Sequence, residues 1–116
     1  MNIWLDDVRT APDGWIHMHN IDELEKVIQI MVQKEDLFID EMSFDYNLAH
    51  PKNGFDVMKD LAELCKKYNT KRFWPKIVLY HSNDVNGIKI MKEFTEEFEK
   101  ELQKGLNIFK GVFKKS

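Results

Sequence analysis

The 116-residue sequence predicts a small three-layer α/β domain: a central, mostly parallel sheet of about four to five strands, with about three helices. Two observations predict it. Short apolar runs end in polar residues near positions 5, 45 and 80, and amphipathic stretches of helical period lie between them. That alternation suits βαβ units whose right-handed crossovers place helices on both faces of a parallel sheet. The composition agrees, with 43% hydrophobic and 32% charged residues and only five Gly and three Pro. It excludes disordered, collagen-like and linker classes.

Each element has its own signal. Asn2-Ile3-Trp4-Leu5 is an apolar run that stops at Asp6-Asp7 and reads as a buried strand. Arg9 to Gly14 is turn chemistry, because Pro12 and Gly14 bar a regular helix. Trp15 to His19 alternates large and polar residues and predicts a second short strand. Asn20 opens the first helix, with Glu23 placed to complete a capping box and Leu24, Val27, Ile28 and Met31 as the buried stripe. A third strand is expected over 41–45, followed by a polar loop from Tyr46 to Asn53. The second helix carries Val57, Leu61, Leu64 and Tyr68 on one face, with Met58 and Cys65 beside them.

Lys76 to Tyr80 is β-branched and bounded by Pro75 and His81-Ser82, the clearest strand of all. The longest helix is expected over 84–104, with Ile88, Met91, Phe94, Phe98 and Leu102 inward and Gly105 as its cap. Leu106 to Phe113 reads either as an edge strand or as a docked short helix. The whole is one domain over 1–116, with a core at 2–104 and a tail at 105–116.

Charge and cysteine usage narrow the function classes. Seventeen basic against 20 acidic residues give a net charge of -3, which offers no basic face for duplex nucleic acid. The single Cys65 forms neither an internal disulfide nor a zinc site by itself. No apolar run approaches the ~20 residues of a membrane span, and no signal peptide pattern is present. The expectation is a cytoplasmic protein that binds no membrane.

In an open parallel sheet, chemistry gathers beyond the carboxyl ends of the strands. There stand Asp6 and Asp7 after the first strand, Asp45 after the third, and His81 and Ser82 after the fourth. Three converging carboxylates repel one another unless a hard divalent cation, most simply Mg²⁺, sits among them. Arg9 offers a bidentate fork for a phosphate. The first amides of the last helix, from Asn83 to Gly87, offer an anion-binding end. Acids, metal, Arg and helix N-terminus together describe phosphoryl chemistry. Taken singly, each element has an ordinary use: an Asp-Asp turn, a loop aspartate, a Ser or Asn cap, a structural histidine. Trp4 is expected in the core. Trp15 is either core or a pocket wall that stacks on a base, and His17 and His19 share one face, read as solvated rather than as a metal pair.

These residues resemble the receiver domains of two-component response regulators, and more closely a divergent group, the cyclic-phosphate-processing receiver domains. The blocks are Trp4-Leu5-Asp6-Asp7-Val8-Arg9, Pro12, Gly14-Trp15, Ser43-Phe44-Asp45, Gly54-Phe55-Asp56 and His81-Ser82-Asn83 with Gly87 and Met91. Tyr46-Asn47-Leu48-Ala49 stands where that group has His-Asp-Leu-Gly, and no Lys-Pro step of an ordinary receiver occurs. The resemblance implies a flavodoxin-like receiver fold. It also implies a metal-dependent phosphoesterase acting on a cyclic phosphate or other small phosphorylated or nucleotide ligand. Asp6, Asp7 and Asp45 would hold Mg²⁺ or Mn²⁺, with Asp45 a transient nucleophile. His81 would be the general acid/base, and Arg9, Ser82 and Asn83 would bind phosphate. The alternatives are a non-enzymatic phosphoacceptor or nucleotide-sensing module, and an interaction domain whose fold survives without chemistry.

Overall fold

The computed structural model describes residues 1–104. The elements run β1 (Asn2–Leu5), β2 (Ile16–Met18), α1 (Ile21–Gln33), β3 (Glu41–Phe44), α2 (Gly54–Tyr68), β4 (Ile77–Tyr80) and α3 (Val85–Gln103). All strands pair in parallel, in the order β2-β1-β3-β4. This is the receiver-like, flavodoxin-like α/β architecture expected, with four strands and three helices among the described residues. The expected Gly105 cap and the element at 106–113 lie outside the described residues.

The helix stripes fall where the periodicity puts them. Leu24, Ile28 and Met31 of α1, Val57, Met58, Leu61 and Cys65 of α2, and Met91, Phe98 and Leu102 of α3 are buried. They join Ile3, Leu5, Met42 and Phe44 in a single core. Burying side chains of this size stabilises by about 1.5–3 kcal/mol each, so this one core carries most of the folding energy.

Because in-register residues of a parallel sheet share a face, Trp4, His17, Ser43 and Leu79 project to the side away from that core. There Ile77 and Leu79 remain 52% and 39% exposed. The expected helical layer on the second face is therefore not found among the described residues. The reason is topological. Both β2→α1→β3 and β3→α2→β4 step across the sheet in the same direction, so right-handed crossovers put both helices on one face. The β1→β2 step goes the other way but has no helix.

The caps differ from expectation in detail. Asn20 accepts from the Glu23 amide (3.2 Å), but the Glu23 carboxylate reaches past it to the His19 amide (3.0 Å), leaving half a capping box. The complete box belongs to α2, where Asn53 and Asp56 bond each other's backbone reciprocally. α1 has no basic residue in its last turn. Arg72, before β4, supplies one from a distance by donating to the Met31, Lys34 and Leu37 carbonyls.

Candidate metal centre and its surroundings

The sheet ladder continues one residue beyond three strands and thereby positions the site. The Asp6 amide donates to Met18 O (3.0 Å), that of Asp45 to Leu5 O (2.9 Å), and that of His81 to Phe44 O (3.1 Å). The two-residue alternation then turns all three side chains to the same face as Trp4 and Ser43. Asp6, Asp7 and Asp45 each offer a carboxylate oxygen within 4.8 Å of the others. At that separation two carboxylates repel by about 3 kcal/mol at an effective dielectric near 20. That repulsion makes the cluster a candidate cation site.

The three acids are held differently. Asp6 is 1% exposed. Its Oδ1 accepts from the Val8 and Arg9 amides (both 2.8 Å), and its Oδ2 lies 3.0 Å from His81 Nε2. Burial works to raise its pKa, but the Arg9 and Val8 amides and His81 outweigh it, so the carboxyl sits below its ordinary value. Asp7 accepts from the Ala49 amide (2.9 Å), which ties the β3–α2 loop to the cluster. Asp45 is 8% exposed, and its carboxylate has no hydrogen-bond partner among the described residues. The chain passes close here: a Cβ on Gly54 would lie 1.9 Å from Asp45 O, so only glycine lets α2 begin against the end of β3.

His81 joins the cluster through Asp6. Its other ring nitrogen, Nδ1, lies 2.7 Å from Ser43 Oγ, and the indole of Trp4 stacks on the ring at 3.7 Å with the planes 9° apart. Both nitrogens are thus engaged within the protein. That is a different arrangement from the general acid/base expected, which would turn one nitrogen to a substrate. Burial pushes the His81 pKa below its ordinary value, against the upward pull of Asp6. Arg9 bonds the His81 carbonyl through Nη1 and keeps Nε 3.9 Å from Asp6 Oδ2; at 42% exposure, the rest of its guanidinium faces solvent.

The N-terminus of α3 differs from expectation. Asp84 is its cap, bonding the Gly87 amide (2.8 Å), and Ser82 Oγ accepts from the Asp84 amide (3.1 Å). The chain's own carboxylate therefore occupies the end expected to receive an anion. Asn83 is exposed and bonds nothing among the described residues. Tyr46 lies across this helix start, for a Cβ on Gly87 would fall 2.3 Å from its ring.

Some residues were missed or misplaced by sequence reasoning. Trp4 is half-buried beside His81 rather than in the core, and its Nε1 donates to Arg9 O (3.1 Å). Trp15 meets it edge-on, with centroids 6.1 Å apart. Ile16 pairs with Ile3, so Trp15 stands level with Asn2, at the far end of β1 from Asp6. His17 and His19 do share a face and stack at 4.3 Å, yet His17 Nε2 reaches Asp6 O (2.6 Å) instead of facing solvent. The signal that could have found Trp4 and Ser43 is the alternation itself. Each stands two residues before a site aspartate.

No membrane-spanning length or hydropathy occurs in any described helix. Neither the curated proteins nor the solved structures provide a match to this chain. The family described as the cyclic-phosphate processing receiver domain matches residues 1–97, which cover β1 to most of α3 and every site residue above. The chain belongs to the cyclic-phosphate processing receiver domain family.

Proposed function

We propose that the domain holds a divalent cation, Mg²⁺ or Mn²⁺, on Asp6, Asp7 and Asp45 and there processes a small cyclic phosphate or related phosphoester. The observation that carries this reading is the convergence of three carboxylate oxygens within 4.8 Å, one of them on an aspartate without a hydrogen-bond partner among the described residues. The donors fit such an ion: all are hard oxygens, and Asp6 and Asp7 are braced by backbone amides. When bound, the ion would polarise a phosphoryl oxygen or acidify a water.

The chain's own residues would bind and orient. The solvent-facing part of Arg9 is placed to fork a phosphate beside Asp6. Ser82 keeps its hydroxyl proton to donate, since its oxygen only accepts from Asp84. Asp45 is the carboxylate left free to attack phosphorus. Its bond to phosphorus would form as a ring P–O bond breaks, and the ring oxygen would leave with a proton from water. Hydrolysis of the acyl phosphate would release the opened phosphate and restore Asp45. The free, buried Cys65 suits a reducing compartment, and we place the protein in the cytoplasm.

A second reading, a phosphoacceptor or nucleotide-sensing module without turnover, is favoured by one observation: both His81 nitrogens are bonded within the protein, to Ser43 and Asp6. The test is to incubate pure protein with Mg²⁺ or Mn²⁺ and a panel of 2′,3′- and 3′,5′-cyclic nucleotides, with Asp6→Ala and His81→Ala as controls. Ring opening that needs the metal and Asp6 supports the enzyme. No turnover, with stoichiometric labelling of Asp45 by acetyl phosphate, replaces it by the second reading.

A further inference from the structure

We propose that Ser43 is a positioning residue: its hydroxyl holds the His81 ring in one orientation, and through that ring it braces the Asp6 carboxylate. The inference rests on the metal reading only for what Asp6 then does. Ser43 sits in β3, the interior strand next to β1, and is only 3% exposed, between Met42 and Phe44. A hydroxyl so placed is costly unless bonded, and its one partner among the described residues is His81 Nδ1 at 2.7 Å. The register explains how the two meet. Ser43 lies opposite Leu79 and Trp4, and His81, two residues beyond Leu79 on the same face, folds its ring back over the sheet.

The hydrogen-bond chemistry then sets the proton positions. The ionised Asp6 carboxylate only accepts, so His81 Nε2 must be the donor across their 3.0 Å bond. Nδ1 lies on the other side of the ring, where the Ser43 hydroxyl, able to donate or accept, satisfies it in either charge state. Trp4 closes the remaining freedom by covering one face of the ring, while its own Nε1 is tied to the Arg9 carbonyl. The Asp6 carboxylate is consequently fixed from both oxygens, by the Val8 and Arg9 amides on Oδ1 and by His81 on Oδ2. Without the Ser43 hydroxyl, only the Asp6 bond and the Trp4 stack would hold the ring in this orientation.

The closing experiment measures two things on wild type, Ser43→Ala and Ser43→Thr. Long-range ¹H–¹⁵N spectra of the His81 ring read whether Nε2 carries a proton and whether the ring holds one orientation, and Mg²⁺ titration reads affinity. Wild type is expected to show one set of ring signals with Nε2 protonated. Ser43→Ala should double or broaden those signals and weaken Mg²⁺ binding about 10-fold, the usual scale for losing a support behind a ligand. Ser43→Thr, which keeps the hydroxyl, should restore both. A wild-type ring without a proton on Nε2 overturns the proposal whether or not any variant folds. So does a folded Ser43→Ala protein that keeps both the single set of signals and the affinity. If wild type binds no Mg²⁺ but Ser43→Ala still loses the single orientation, the metal reading fails and the positioning role of Ser43 stands.

Discussion

Replacing Gly54 by alanine should destabilise the domain by about 3 kcal/mol, because the new methyl group meets backbone rather than a side chain. An ideal Cβ there would lie 1.9 Å from Asp45 O, 2.9 Å from Asp45 C and 3.0 Å from Tyr46 Cα. Reaching even 3.0 Å from the carbonyl oxygen requires the start of α2 and the end of β3 to part by 1.1 Å (3.0 − 1.9). Both sides are tethered, the Gly54 amide to Tyr46 O (2.7 Å) and the Asp45 amide to Leu5 O (2.9 Å).

Relief therefore weakens one or two backbone bonds, each worth ~1 kcal/mol net, on top of an overpacking cost of ~1–3 kcal/mol. The better helix propensity of alanine returns at most ~1 kcal/mol. At ~4 °C or more per kcal/mol for a domain near this size, Tm should fall by about 12 °C. Thermal unfolding by circular dichroism reads this directly. Gly87→Ala is the control, since the three atoms nearest its Cβ all belong to the Tyr46 ring. In a double-mutant cycle, Tyr46→Ala should rescue much of the Gly87→Ala loss and none of the Gly54→Ala loss. A Gly54→Ala protein melting within ~3 °C of wild type would refute the reasoning.

Arg72→Ala should cost about 2 kcal/mol in urea unfolding, since it strands the Met31, Lys34 and Leu37 carbonyls at the end of α1; a change under ~0.5 kcal/mol would show that water replaces the guanidinium. The Cys65 thiol, pushed up to about 12 by burial, should resist disulfide reagents at pH 8 in the native protein and react at once in denaturant. Equal rates in both states would mean the site opens freely. In metal-free buffer, stability should fall as pH drops from 7 toward 5: the folded pKa of His81 is held below 6.5, so the unfolded chain binds a proton the folded one does not. Asp6, with its folded pKa below 3.8, adds a second loss only as pH falls under about 4. His81→Asn should flatten the upper window and leave the part of the lower one that the Arg9 and Val8 amides hold, and a wild-type curve level from pH 7 to 5 would contradict the sign.

Local chemistry made much of the molecule legible. The stripes of α1, α2 and α3 follow from helical period alone, and their burial matches it because an amphipathic face has one way to leave water. Asp6, Asp7, Asp45 and His81 could be placed at one edge because each follows an apolar strand and parallel strands end together. Subtler matters were not legible. The capping residue of α3 is Asp84 rather than Ser82 or Asn83, a choice between adjacent candidates that only the helix's actual start settles.

What the sequence by itself determined, then, is the order of elements, the parallel sheet and the meeting of three carboxylates at its carboxyl edge. Those depend on residues near one another in the chain and on general rules of handedness. The tertiary structure alone decided which face of the sheet the helices cover and that Trp4 leaves the core to stack on His81. It also decided that both imidazole nitrogens are taken, by Ser43 and Asp6, from 38 and 75 residues away. Contacts across such separations depend on register and crossover direction together, and no local pattern in the chain encodes either one.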